Sequence, residues 1–131
     1  MERYLNKITH ADCLEVMRQL PDKCIDLILT DPPYGLKIAR RGVLGSPGRA
    51  GVAVTNYGKD NWDDATPEQV YFDEMFRVSK NQIIFGGNFM TESIRKNSPC
   101  WIVWDKDNTG NYADCELAWT SFSSAVKKYV W

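Results

Sequence analysis

Ile25-Asp26-Leu27-Ile28-Leu29-Thr30-Asp31-Pro32-Pro33-Tyr34-Gly35 is the stretch on which the fold of this chain turns. Its first six residues are a nearly continuous apolar run with β-branched members, the pattern of a strand buried on both faces of a parallel sheet. The run ends abruptly, because the two prolines lack the N–H that ladder pairing needs. Such a strand requires neighbouring strands and covering helices, and the flanking sequence supplies both.

Upstream, Asp12 stands where a helix N-cap belongs, with Glu15 three residues on as a capping-box partner. Leu14, Met17 and Leu20 give an apolar stripe at helical spacing, so Cys13 to Gln19 reads as a helix that Pro21 stops. Arg3 to Ile8 reads as a short strand.

Downstream, Gly35 to Ala65 has no strong apolar period and contains Gly42, Gly45, Gly48, Gly51 and Gly58. Lys37, Arg40, Arg41, Arg49 and Lys59 all precede its first acid, Asp60. Residues 36–65 are thus expected to be one long basic, Gly-rich loop. Loops of this length in small domains are functional lids, disordered segments or elaborated surface loops. Its cations either contact phosphate, each contact adding to a salt-dependent affinity, or are simply solvated.

Regular structure resumes at Thr66-Pro67-Glu68-Gln69: an N-cap, a proline at the first helical position and a capping-box glutamine. Tyr71, Phe72, Met75, Phe76 and Val78 carry the apolar face to about Ser79. Gln82 to Phe85 reads as a buried strand closed by Gly86-Gly87, and Asn88 can cap a short helix through Lys96. Strands follow at Cys100 to Trp104 and Cys115 to Thr120, separated by a polar loop from Asp105 to Tyr112, and Lys128 to Trp131 begins another. This alternation predicts one α/β domain over 1–131, a mainly parallel sheet with flanking helices. Ligands of such sheets sit at the carboxyl ends of the strands, where Asp31 to Tyr34 and Gly86 to Asn88 both lie.

At 131 residues the chain has room for one real core and hardly for two. Its formal net charge of -1 argues mildly against strong duplex binding by the whole surface, while leaving room for a local basic patch. Cys13, Cys24, Cys100 and Cys115 form no C-x-x-C pair, and His10 is the lone histidine, so no zinc site is expected. Reduced thiols, the lack of a long apolar run and the lack of a signal-peptide core lead to the expectation of a soluble, cytoplasmic protein without a membrane partner.

Asp31 to Tyr34 can meet a definite chemical need. The exocyclic nitrogen of adenine or cytosine is a poor nucleophile, because its lone pair is delocalised into the ring. Acceptors for both of its N–H groups favour the charge that develops during attack on a methyl sulfonium. A carboxylate and a proline carbonyl accept and never donate. Asp31 supplies the first and Pro32 the second, while Pro32 and Pro33 hold the turn rigid. Tyr34 offers a ring on which an extruded base can stack. Read without this chemistry, the segment is only an acidic, proline-rich turn.

The T-D-P-P-Y-G sequence after an apolar strand resembles the catalytic segment of the amino-methyltransferases that act on adenine or cytosine in DNA, of phage and restriction-modification type. The likeness continues through Ile83-Ile84-Phe85-Gly86-Gly87-Asn88, Trp101-Ile102-Val103-Trp104-Asp105-Lys106 and Ala113-Asp114-Cys115-Glu116-Leu117-Ala118-Trp119, and covers nearly the whole chain. It implies a partial Rossmann-like fold that uses S-adenosylmethionine, with DNA as partner and Asp31, Pro32, Pro33 and Tyr34 as catalytic residues. An aspartate in first place is commoner in adenine members than in cytosine members. His10-Ala11-Asp12-Cys13-Leu14 resembles the family's G-D-C-L segment, with Ala11 in place of glycine. Asp12, Thr30 and Asp31 are therefore candidate cofactor contacts, and Lys37, Arg40, Arg41 and Arg49 candidate DNA contacts. Asp12 reads equally well as a helix cap.

Members with this motif order continue into a second half with an F-x-G-x-G turn for the methionine part of the cofactor. Phe85-Gly86-Gly87-Asn88-Phe89 lacks that spacing, and a Gly-Gly after a strand is more often a close-packing turn. The expectation is a truncated methyltransferase whose Ile25–Thr30 edge is apolar and unpaired, and is covered by a second copy. These residues admit three other readings. Asp105, Asp107, Asp114 and Glu116 could serve a metal nuclease, but no helix presents a paired acidic face. RNA or protein-glutamine methylation would place a cofactor loop before the catalytic strand, where the chain has little room. An inactive remnant would bind no cofactor.

Overall fold

Asp12 starts the first helix in the way its short carboxylate allows. Its backbone is extended, and its side chain accepts a hydrogen bond from Leu14 N at 2.7 Å. The computed structural model describes residues 2–37, 43–44, 55–56, 61–107 and 113–130. In chain order the elements are α1 (Cys13–Met17), β1 (Ile25–Thr30), β2 (Val43–Leu44), β3 (Thr55–Asn56), α2 (Gln69–Val78), β4 (Ser79–Phe85), α3 (Thr91–Ile94), β5 (Trp101–Asp105), β6 (Cys115–Thr120) and β7 (Lys127–Val130). Short 3₁₀ turns occupy Glu2–Tyr4 and Gly87–Phe89.

Five strands form one sheet in the order β1-β4-β6-β5-β7. β1 pairs in parallel with β4, and β5 with β7, whereas β6 runs antiparallel to both β4 and β5. The expected mainly parallel sheet is therefore corrected to a mixed one, with half of its neighbour pairings antiparallel. The cause lies between Asp105 and Cys115. That connection is short, polar and without helical pattern, and so it can join only antiparallel neighbours; a parallel pair needs a crossover. β6 folds back beside β5, matching Trp101 to Trp119 and Asp105 to Cys115, and separates β5 from β4.

The core is built by α2 and the sheet. Phe72, Val78 and Ile84 are fully buried, and Met75, Met90, Ile94 and Trp119 close around them. Arg77 fastens α2 to the end of α1, donating to the carbonyls of Met17 and Leu20 at 2.9 Å each and pairing with Glu74 and Asp22. Lys23 caps the other junction, donating to the carbonyls of Phe76 and Ser79.

Several boundaries differ from the sequence reading. The helix expected to Gln19 ends at Met17, where single-turn bonds take over at Gln19 and Leu20 before Pro21. α2 starts at Gln69 rather than beside Thr66, and its cap residue, Glu68, makes no side-chain cap bond. Gln69 instead donates to Asp73 and to the Ser93 carbonyl, tying α2 to α3. Arg3 to Ile8 holds a 3₁₀ turn and no strand. β1 is not buried on both faces: Asp26, Leu27 and Leu29 are exposed, and among the described residues β1 pairs on one side only, with β4. Within the expected loop 36–65, Val43–Leu44 and Thr55–Asn56 pair as a small antiparallel ribbon.

Candidate functional site

β1 delivers its last residue, Thr30, opposite Ile84, and the prolines then release the chain from the ladder. Asp31 emerges exposed at the carboxyl end of the strand, and Pro32, Pro33 and Tyr34 follow half-buried. Tyr34 Oη donates to Asp31 Oδ1 at 2.6 Å. Among the described residues nothing else bonds to the Asp31 carboxylate, and nothing donates to the Pro32 carbonyl. Two pure acceptors thus stand one residue apart at the strand end.

The ring of Tyr34 is positioned by β4 and the turn after it. Gly86 has φ 64, and a Cβ there would lie 2.1 Å from Tyr34 Cε1, so only glycine admits the ring. Phe89 stacks on Tyr34, with centroids 5.1 Å apart and ring planes 19° apart. Gly87 likewise leaves room for Trp119, whose Cβ would be 2.5 Å from an added Cβ. Gly86-Gly87 is the close-packing turn expected from its sequence. Burial, and then the Asp31 carboxylate that accepts its proton, push the Tyr34 hydroxyl well above the ordinary tyrosine range. The hydroxyl is therefore a hydrogen-bond donor and cannot serve as a base.

Asp63 completes the turn from the far side of the basic segment. It is 3% exposed, and its Oδ1 accepts from Tyr34 N at 3.0 Å and from Gly35 N at 2.9 Å. Its backbone carbonyl accepts from Lys37 N at 2.9 Å. Sequence reasoning missed Asp63 and Phe89. No local pattern marks Asp63, because its partners lie 28 and 29 residues away. Phe89 had one signal: it follows a Gly-Gly turn at a strand end, where an aromatic has no helical stripe to join.

A cavity of about 360 Å³ lies beside this turn, with Ala11, Cys13, Ile28, Thr30, Pro32 and Tyr71 among its lining residues. Asp12, the cap of α1, does not line it, although its neighbours Ala11 and Cys13 and its partner Tyr71 do. One Asp12 oxygen accepts from Leu14 N, and the other accepts from Tyr71 Oη at 3.0 Å. Thr30 and the two neighbours of Asp12 thus line the same cavity. Lys37 is exposed near the turn, whereas Arg40, Arg41 and Arg49 lie outside the described residues. Trp119 and Trp101 serve packing, as their apolar neighbours imply, and Trp62 is half exposed. Among the described residues no three acids, cysteines or histidines gather as a metal site, and no helix is long and apolar enough to cross a membrane. All four cysteines are free thiols.

The chain is similar to methyltransferases. Over 80 residues it is 30% identical to "Putative methylase YubD" of Escherichia coli (strain K12), a match covering 61% of this chain and 30% of that protein. Over 32 residues it is 47% identical to the Type II methyltransferase M.BamHI of Bacillus amyloliquefaciens, covering 24% of this chain and 8% of that one. The matched region spans under a third of the length of either relative. No protein-family model matches the chain. These likenesses support a methyltransferase in general, and the five-stranded mixed sheet with its few helices is compatible with part of a Rossmann-like methyltransferase.

Proposed function

We propose that this chain carries the amino-group site of an S-adenosylmethionine-dependent DNA methyltransferase, with adenine N6 as the methyl acceptor. The observation that carries the reading is the pair of open acceptors, the Asp31 carboxylate and the Pro32 carbonyl, beside the Tyr34 ring. The identity of Asp31 favours adenine. DNA as substrate is supported by the T-D-P-P-Y-G sequence and by Lys37 with the arginines that follow it.

In this reading a base leaves its duplex and lies against Tyr34. Asp31 Oδ2 and the Pro32 carbonyl accept its two amino hydrogens, so charge developing on nitrogen meets fixed acceptors rather than reorienting water. Tyr34 Oη holds the carboxylate through Oδ1. The proton released from nitrogen has the Asp31 carboxylate as its first acceptor, and solvent beyond it, because Asp31 is exposed.

The cavity lined by Thr30 and Pro32 falls in the size range of small-ligand pockets, and its apolar walls suit an adenine ring. Thr30, with Asp12 between the lining residues Ala11 and Cys13, would hold the adenosine end of S-adenosylmethionine. When bound, that cofactor supplies an electrophilic methyl group.

Labelled S-adenosylmethionine incubated with the full chain and unmethylated DNA, RNA or protein tests the reading. Label should appear in DNA as N6-methyladenine, and Asp31→Ala should remove it. Label in N4-methylcytosine would overturn the adenine assignment, and label only in RNA or protein would overturn the substrate class.

A further inference from the structure

We infer that Asp63 is a positioning residue for the acceptor pair, and that its buried carboxylate acts as an internal anion setting the geometry of the Asp31–Gly35 turn. The prolines fix φ at positions 32 and 33, but they leave the exit of the turn undetermined. At that exit the backbone N–H groups of Tyr34 and Gly35 converge on one atom, Asp63 Oδ1, at 3.0 and 2.9 Å. Successive N–H groups ending in a left-handed residue form a concave anion-binding nest, and Gly35 has φ 72. An added Cβ at Gly35 would come within 3.2 Å of Thr66 N, so the nest is also packed closely from behind.

Burying a carboxylate is costly unless it is bonded, and charge-assisted bonds to two backbone donors offset that cost. The arrangement therefore places a demanding group where a neutral side chain would suffice for packing alone. What it fixes is functional: the backbone at Tyr34 sets both the ring against Gly86 and the hydroxyl on Asp31 Oδ1. Lys37 N on the Asp63 carbonyl adds a third tie, which pins the start of the basic segment to the same residue. Asp63 has no place on the reacting atoms; it acts through Tyr34 and the turn. This inference rests on the amino-group site proposed above and assigns to it a residue remote in sequence.

The test uses the full chain with Asp63→Ala and Asp63→Asn. Amide hydrogen exchange at Tyr34 and Gly35 should accelerate about tenfold or more in Asp63→Ala, while the β4 amides of Ile83 to Phe85 keep their protection. In methyl transfer, kcat should fall about 100-fold with KM nearly unchanged, the scale expected for misplaced reacting groups. Asp63→Asn keeps an acceptor oxygen without the charge, and should fall between wild type and Asp63→Ala in both readouts. Unchanged exchange at Tyr34 and Gly35, or a KM rise with kcat intact, would overturn the inference. Should Asp63→Ala not fold, Asp63→Asn decides alone, and wild-type exchange and kcat in that variant would overturn it. Absence of transfer in the wild-type chain would reject the proposed function, whereas the exchange readout would still decide whether Asp63 holds the turn.

Discussion

Gly86 shows how little tolerance the site has at single positions. An alanine there would adopt a left-handed backbone and drive its Cβ into the Tyr34 ring. Gly86→Ala should lower stability by about 1–3 kcal/mol for the backbone strain, read as a fall in the unfolding midpoint. It should also displace Tyr34 from Phe89, seen as lost ring-current shifts between the two. Tyr34 itself separates two roles. Tyr34→Phe keeps the ring and loses the donor to Asp31, so affinity for single-stranded adenine oligonucleotides should change little while methyl transfer slows. Tyr34→Ala should weaken that affinity by about 1–3 kcal/mol, the worth of one stacked base. At this scale the residues with local chemistry were legible: Asp31, the prolines, Tyr34 and the Asp12 cap all follow from residue type and neighbours. Asp63 and Phe89 were not, because their meaning comes from partners that only the folded chain brings near. A lone aspartate or phenylalanine in sequence carries no record of such contacts.

Helix α2 is the element on which the rest depends, since it packs on β4 and receives α1 and α3. Phe72 is fully buried at its centre, so Phe72→Ala should cost about 3–5 kcal/mol by denaturant titration. Glu74 gives a pH-dependent contribution. Its hydrogen bond from Arg77 holds its carboxyl below the ordinary glutamate value of 4.5. The stabilisation is therefore complete above about that pH and is lost as pH falls through the lowered folded value. Glu74→Gln should reduce the unfolding midpoint at neutral pH and flatten its decline in acid, measured by thermal melts across the pH range. The elements were legible wherever apolar period was strong: β1, α2, β4, β5 and β6 all appear near their expected positions. Sheet order was harder to read. The strand signals of β5 and β6 say nothing of direction, and the clue is the short polar sequence between them, which has no helical pattern. The small β2–β3 ribbon has no signature in the sequence, because two-residue strands produce no detectable alternation.

As a whole the molecule is lopsided: β1, the strand that delivers Asp31, lies at the sheet edge. Among the described residues its outer ladder groups have no strand partner, and Leu27 and Leu29 are 42% and 63% exposed. Such an edge invites pairing with another strand. We propose that a second copy covers it at high concentration. Sedimentation should then show concentration-dependent association that Leu29→Lys abolishes, and a monomer at all concentrations would reject this. Asp31 leaves the sheet beyond the paired residues, so the acceptors do not depend on that association. The defining property of the proposed site is recognition of an exocyclic amino group by Asp31 and Pro32. Fluorescence anisotropy with a labelled single-stranded oligonucleotide, carrying either one adenine or purine at the same position, measures this directly. The wild-type chain should bind the adenine strand about tenfold more tightly, the scale of a lost bond to a charged acceptor, and Asp31→Ala should lose most of that preference, with only the Pro32 carbonyl left to accept. Equal affinity of the wild-type chain for adenine and purine would show that Asp31 and Pro32 do not recognise the amino group.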